Sequence, residues 1–317
     1  SGRMLGVRAD ITPQTARMDA HSLAEAGVTR LCYAGSTLQS TPQSVISGRA
    51  PIQLGAELFG SSAIEADSEI IGLMLSTFQC AGVSRPLTLD IGHIGIYDAL
   101  FSDAGLDPEL EDQIFDALQR KSAPDIERLS ASLPAREAER LAQLVALHGS
   151  PDVLASARAA FPDELAVMAA LDQLDTVLAR VQQAFPDVGV YVDLTELRGF
   201  RYHTGLVFAV YLEGRGSAVA KGGRYDNVGA VFGRDRPATG FAIDLKALVD
   251  DADRSEAADV PVIAPQSDDA GLRAAVTALR AAGRTVVMDV APGVDMPDAE
   301  RLVLSEGEWV IEGSASS

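Results

Sequence analysis

The chain has 317 residues, of which 47% are apolar and 22% are charged, which is enough material for one large core and a smaller second domain. The formal net charge of −19 repels phosphate backbones, so we expect no nucleic-acid partner. No stretch approaches the ~20 apolar residues that a membrane helix requires, and the N-terminus has no signal pattern, so we expect a cytoplasmic protein without membrane association.

Helical and β-type patterns alternate from Met4 to about Asp90, which predicts a mixed sheet covered by helices. The β-type runs are LGVRADI, TRLCYAGSTL and APIQLGAELFG, and a strand at 85–93 follows them. Cys32 and Cys80 lie in apolar runs of this zone, so we expect buried free thiols rather than a disulfide or a metal site.

Residues 99 to about 185 have almost wholly helical spacing, which predicts an inserted bundle. β-type sequence then returns, with a hairpin-like turn near Glu213, and completes the first sheet. The acidic stretch 250–259 resembles a linker, and a strand, a capped helix and a strand follow it. We therefore predict a first domain over 1–249 and a small α/β domain over 260–317.

Polar side chains occupy positions where a half-buried strand is normally apolar. Gln53 and Glu57 share one face of a predicted strand, with an empty glycine position between them. Asp10 and Thr12 share one face of a predicted strand that ends before Pro13. A carboxylate bonded to a cation in a desolvated site is strong and directional, so these clusters suit a ligand ammonium group. The alternative is that they cap turns or face water.

A third polar cluster, RGFRYHT, begins at Arg198. Arg198 offers a planar fork for a carboxylate, and Tyr202 or His203 offers a hydrogen bond to a polar ligand side chain. The alternative is a surface salt bridge or a satisfied core. The sequence contains no GxxxxGK[ST], GxSxG, HExxH or CxxC motif, so we predict no catalytic residue, no metal and no cofactor.

The three clusters, in this order, resemble the core of class II aminoacyl-tRNA synthetases, and specifically of histidyl-tRNA synthetase. Collinear segments between about residues 5 and 248 carry the resemblance, namely VRADITPQTAR, RLCYAGSTLQ with QLGAELFG, LRGFRYHTGLVF, KGGRYDN and ATGFAIDLKAL. The resemblance implies an α+β fold in which helices flank an antiparallel sheet. It also implies a histidine site formed by Asp10, Thr12, Gln53, Glu57, Arg198, Tyr202 and His203. His203 departs from the family, which has a second tyrosine there.

The nucleotide side departs further from the synthetase pattern. Gln39 stands in place of an arginine that holds the α-phosphate, and Thr41 in place of an acidic residue that contacts adenine. Lys246 and Ala247 stand where the final motif has Glu-Arg. Losing one electrostatic partner of the reacting phosphate costs about 3–4 kcal/mol of transition-state stabilisation, so the combined losses should abolish adenylation.

A kept amino-acid pocket beside a lost nucleotide pocket resembles the regulatory subunit of ATP phosphoribosyltransferase, a synthetase paralogue of bacterial histidine biosynthesis. This resemblance implies a non-catalytic chain that activates the short-form catalytic subunit and senses L-histidine for feedback inhibition. It also implies a homodimer within a hetero-oligomer, and a C-terminal domain that is a reduced relative of the synthetase's anticodon-binding domain. Two alternatives stay open: a histidyl-tRNA synthetase with unusual nucleotide contacts, and a histidine-independent scaffold.

Overall fold

The computed structural model describes residues 2, 4, 6–24, 26–40, 48–197, 199, 202–251, 260–289 and 299–312. The chain divides into two compact units, Ser1–Asp253 and Arg254–Ser317. Within the described ranges, no helix has the length and apolar character needed to cross a bilayer.

The first unit is built on an eight-stranded sheet with the order β1-β2-β8-β7-β6-β3-β5-β4. All neighbouring strands are antiparallel except β3 and β5, which are parallel. The strands are Thr29–Ser36 (β1), Ile52–Phe59 (β2), Leu87–His93 (β3), His148–Gly149 (β4), Gly189–Asp193 (β5), Leu206–Leu212 (β6), Ala220–Arg224 (β7) and Ala238–Asp244 (β8).

Helices precede, interrupt and follow these strands, and most of them form the predicted insertion between β3 and β5. They are Thr12–Met18 (α1), Ile64–Cys80 (α2), Ile94–Phe101 (α3), Pro108–Gln119 (α4), Ala123–Ser130 (α5), Ala135–Leu144 (α6), Val153–Ala160 (α7), Leu165–Ala184 (α8) and Leu245–Asp251 (α9). A π-helical turn, Asp19–Leu23, continues α1, and a 3₁₀ turn, Ala230–Phe232, precedes β8.

One face of the sheet forms the core, because its apolar residues pack against α2, α3 and α8. Ile71 and Met74 of α2 are fully buried, as is Leu174 of α8. Side chains of this size contribute about 1.5–3 kcal/mol each when they leave water. The opposite face therefore remains available for polar residues.

Two expectations for the N-terminal zone are wrong. The described residues of the run LGVRADI form no strand; Val7 is 70% exposed, and Met4, just before the run, is 98% exposed. Cys32 and Cys80 are free thiols but exposed rather than buried. Cys32 lies on β1, an edge strand whose alternate residues face solvent, and Cys80 is the last residue of α2.

The second unit has a four-stranded sheet with the order β10-β9-β11-β12, formed by Val262–Ala264 (β9), Val286–Met288 (β10), Glu300–Ser305 (β11) and Glu308–Glu312 (β12). Helix α10 (Ala270–Ala281) is capped by Asp269, which accepts a hydrogen bond from the Leu272 amide at 2.8 Å. The hairpin of β11 and β12 follows the predicted strand, helix and strand and was not predicted from the sequence. Its turn is Glu306-Gly307, both with positive φ, a conformation that favours glycine.

Candidate functional site

The open face of the large sheet, which we call the site face, has a floor of small residues on its central strands. Residues directly opposite in antiparallel strands share a face, so the register Glu57–Gly240–Gly223 sets a carboxylate beside two glycines. Ala242 and Ala209 flank the neighbouring row on the same face. These four small residues, the glycine–alanine floor, leave space above the sheet.

A cavity of about 230 Å³ lies on this floor. Its lining includes six of the seven predicted site residues, namely Asp10, Thr12, Gln53, Glu57, Tyr202 and His203. The seventh, Arg198, lies outside the described residues. The fold thus brings together three polar clusters that are far apart in the sequence.

Glu57 has one bonded and one unbonded carboxylate oxygen. The residue is 2% exposed, and its Oε1 accepts hydrogen bonds from Thr12 Oγ1 at 2.9 Å and from Tyr33 OH at 3.1 Å. Its Oε2 is buried without a hydrogen-bond partner in the described structure. A buried acceptor without a donor is costly, so this oxygen suits a donor that a ligand brings.

Burial raises the pKa of Glu57 to about 8, because desolvation disfavours the charged carboxylate. The hydroxyls of Thr12 and Tyr33 act in the opposite direction, and the charge of Asp10 adds to the rise. A cation or N–H donor at Oε2 would stabilise the ionised form and lower this pKa.

Two glycines make room for this arrangement. A Cβ at Gly240 would overlap Glu57 Oε2 and would also press on Tyr225 OH. A Cβ at Gly55 would overlap the phenol of Tyr33. The glycine position that the sequence predicted to be empty is therefore filled by Tyr33 rather than left for a ligand.

Asp10 and Thr12 do not lie on a strand, contrary to the prediction. Helix α1 begins at Thr12, and Pro13 occupies its first turn, where no backbone N–H is required. The Thr12 amide donates to Asp10 Oδ1 at 3.1 Å. Gln53 Nε2 donates to the same oxygen at 2.7 Å, and Gln53 Oε1 accepts from the Ile11 amide at 2.9 Å. A turn and an amide bridge, not strand alternation, hold Asp10 and Thr12 together.

Three rings form one wall of the cavity. Tyr202 stacks on Tyr225 with ring centroids 5.0 Å apart, and His203 meets Tyr202 edge to face at 5.2 Å. His203 Nδ1 donates to the Arg224 carbonyl at 3.3 Å, which assigns the proton to that nitrogen. Burial lowers the pKa of His203, so the ring is neutral near pH 7. Tyr225 OH is buried without a hydrogen-bond partner in the described structure and offers a second group to a ligand.

Sequence reasoning missed five residues of this site. Tyr225 lies in the KGGRYDN segment and Tyr33 in the RLCYAGSTLQ segment, so the resemblance itself was the available signal. Asp90, Glu196 and Lys221 also line the cavity. These three carry no local pattern, because only the sheet register and the loop after β5 bring them to the site face.

A second cavity, of about 270 Å³, lies on the nucleotide side and shares Asp10, Gln53, Lys221 and Ala242 with the first. Gln39 and Asp244 line it, and within the described ranges no arginine does. Thr41 lies outside the described residues.

The final motif supplies no cation to the second cavity from its described side chains. Lys246 Nζ donates to the Ala50 carbonyl at 2.6 Å. Arg215 reaches the Ala247 carbonyl at 3.5 Å but does not line the second cavity. Lys221 is the only Lys or Arg among the described residues that line this cavity.

The strand order and the placement of the cavity define the class: this is the core fold of the class II aminoacyl-tRNA synthetases. A family model described as histidyl-tRNA synthetase matches residues 1–248. A second model, the ATP phosphoribosyltransferase subunit HisZ C-terminal domain, matches residues 260–312. An ATP phosphoribosyltransferase regulatory subunit from Ectopseudomonas mendocina is 48% identical, over 100% of this chain and 82% of that protein. The chain belongs to the family of ATP phosphoribosyltransferase regulatory subunits, and the predicted fold and regulatory role are confirmed.

Solved structures agree with this assignment. An ATP phosphoribosyltransferase regulatory subunit/histidyl-tRNA synthetase from Bacillus halodurans aligns with a TM-score of 0.76 and 28% identity, over 91% of this chain and 76% of that chain. A chain of the HisG:HisZ complex of ATP phosphoribosyl transferase from Thermotoga maritima aligns with a TM-score of 0.61 over 77% of this chain and 82% of that chain. At 21% identity, this second likeness shows the fold alone.

Proposed function

We propose that this chain binds L-histidine in the first cavity, activates the catalytic subunit of ATP phosphoribosyltransferase, and transmits feedback inhibition to it. Family membership supports the regulatory role and, with it, a partnership with a catalytic subunit; the Thermotoga maritima chain of the same fold was solved in a HisG:HisZ complex. The proposed assembly is a homodimer of this chain within a cytoplasmic hetero-oligomer, without nucleic acid.

The observation that carries the proposal is the unbonded Oε2 of Glu57, a residue that lines the cavity. Histidine brings N–H donors on both its imidazole ring and its ammonium group. Glu57 and the hydroxyl of Tyr225 suit one donor group, and the Asp10–Gln53 pair, which also lines the cavity, suits another. A ligand with two donor groups, as histidine has, can bond to both.

Calorimetric titration of the intact hetero-oligomer with L-histidine tests the sensing role. We expect saturable binding, with one site for each copy of this chain. Absence of histidine binding to the intact assembly would remove the sensing role.

The lost nucleotide contacts argue against the first alternative, a synthetase. Transition-state charge on the α-phosphate requires fixed cations, and Gln39 and Ala247 supply none. We expect no histidine-dependent pyrophosphate exchange by the purified chain. Exchange above the background of a Glu57→Ala variant would revive the synthetase hypothesis.

Activity assays of the assembly distinguish histidine sensing from the second alternative, a histidine-independent scaffold. In a complex carrying Glu57→Ala, we expect activation of the catalytic subunit to survive and inhibition by histidine to be lost. Unchanged inhibition would remove Glu57 from the histidine site.

A further inference from the structure

The first cavity combines four carboxylates with one lysine. Asp10, Glu57, Asp90 and Glu196 supply the acidic groups of its lining. Lys221 is the only Lys or Arg among the described lining residues, and it also lines the second cavity. Acidic groups attract the ammonium of an amino acid but repel its carboxylate, so a ligand carboxylate needs a cation here.

The sheet register places Lys221 at the junction of the two cavities. Lys221 on β7 lies opposite Ala209 on β6 and Ala242 on β8. The side chains opposite Lys221 on both neighbouring strands are no larger than a methyl group and add little bulk beside the lysine stem. Gly223, two residues further along β7, lies on the same face as Lys221. It pairs with Gly240, which in turn pairs with Glu57.

The separation between Lys221 and Glu57 suits an amino acid lying across the floor. Glu57 lies two strands away from Lys221, which is about 10 Å at the usual strand spacing. It is also displaced by two residues along the strand direction, which is about 7 Å. A lysine stem and an extended ligand together cover that separation. Asp10 and Gln53 line both cavities, as Lys221 does, and therefore lie near the backbone end of such a ligand.

We propose that Lys221 is the counter-ion of the ligand's α-carboxylate and makes the site selective for a free amino acid with an ionised carboxylate. The proposal rests on histidine binding in the first cavity. In this arrangement Lys221 binds the carboxylate above the glycine–alanine floor, and the carboxylate does not react. In a synthetase, by contrast, the carboxylate acts as a nucleophile toward a nucleotide. Because Lys221 is partly solvent-exposed, solvent screens the interaction, and we expect a moderate effect of about tenfold in affinity.

Two ligands and two variants test this assignment. L-histidinol keeps the imidazole and the ammonium of L-histidine but has no carboxylate. We expect the unmodified complex to bind L-histidine about tenfold more tightly than L-histidinol. Lys221→Met should bring L-histidine down to the affinity of L-histidinol while leaving L-histidinol unchanged, and Lys221→Arg should restore most of the preference.

The outcomes separate this proposal from the proposed function. If the unmodified complex binds neither ligand, histidine sensing itself fails. If it binds L-histidine but Lys221→Met keeps the preference, the carboxylate is held by another group, such as Arg198, and the assignment of Lys221 is overturned. Equal weakening of both ligands would also overturn it, because the lysine would then act on the shape of the cavity.

Discussion

Replacing Glu57 by glutamine removes the carboxyl group that ionises when a ligand donor binds, and it preserves nearly all of the packing. The glutamine carbonyl still accepts from Thr12 and Tyr33, but its NH₂ group then takes the place of the unbonded Oε2. A donor of the ligand would face a donor of the protein. A hydrogen bond to a charged group contributes about 1.5–3 kcal/mol, and because Glu57 is 2% exposed, solvent screens this bond little.

We therefore expect Glu57→Gln to weaken histidine binding about 10- to 100-fold, since each factor of ten corresponds to about 1.4 kcal/mol. Calorimetry on the intact hetero-oligomer measures the change. Glu127→Gln, the same chemical change at an exposed position of α5, is the matched control and should leave the affinity unaltered. Equal affinities for the Glu57→Gln complex and the control would refute the placement of a ligand donor at Oε2.

The raised pKa of Glu57 makes a second prediction from the same residue. The pKa of Glu57 is about 8 in the folded chain and near 4.5 ordinarily. Its contribution to the free energy of unfolding is therefore fully present below about pH 4.5 and is lost as the pH rises through 8. Thermal denaturation without histidine should show this decline between pH 5 and 8, and Glu57→Gln should flatten it. Histidine binding at pH 7 should release more protons from the unmodified chain than from the variant, as calorimetry in buffers of different ionisation enthalpy will show. Identical proton release would contradict this account of the carboxyl group.

Two further substitutions test the packing around the site. Gly240→Ala sets a methyl group on Glu57 Oε2, so we expect a loss of about 1–3 kcal/mol in the free energy of unfolding and no measurable histidine binding. The control is Gly72→Ala in α2, where a Cβ meets only ordinary contacts; this variant should be neutral or stabilising. Asp67→Ala leaves the buried guanidinium of Arg224 without the carboxylate oxygen that it meets at 2.6 Å and 3.1 Å, so we expect a loss on the order of 3–5 kcal/mol in denaturant unfolding. A loss below 1 kcal/mol would show that the other contacts of Arg224 suffice.

Strand periodicity was enough to predict the orientation of Gln53 and Glu57. Both residues lie on β2 within the large sheet, where alternation decides which face each side chain occupies. The same reasoning failed for Asp10 and Thr12, since Pro13 begins a helix and the residues before it follow a turn. Alternation in a run of only a few residues does not separate a strand from such a turn.

The sequence alone does not predict which residues of neighbouring strands contact each other. Tyr33 reaches Glu57 only because β1 pairs with β2 in a register that sets the tyrosine opposite Gly55. Lys221 lies at the cavity because of the registers of β7 with β6 and β8, which the alternation of residues within β7 does not set. The exposure of Cys32 likewise depends on β1 being at the edge of the sheet, which local hydrophobicity does not specify.

The glycine–alanine floor limits how ligand preference can diverge among related chains. A Cβ at Gly240 would overlap Glu57 Oε2, and a Cβ at Gly223 would press on the His203 ring, so neither glycine can be replaced without displacing a residue of the site. We therefore expect a related chain with a different small-molecule ligand to keep both glycines and to differ in the residues that overhang them, with the backbone hydrogen bonds of the sheet intact.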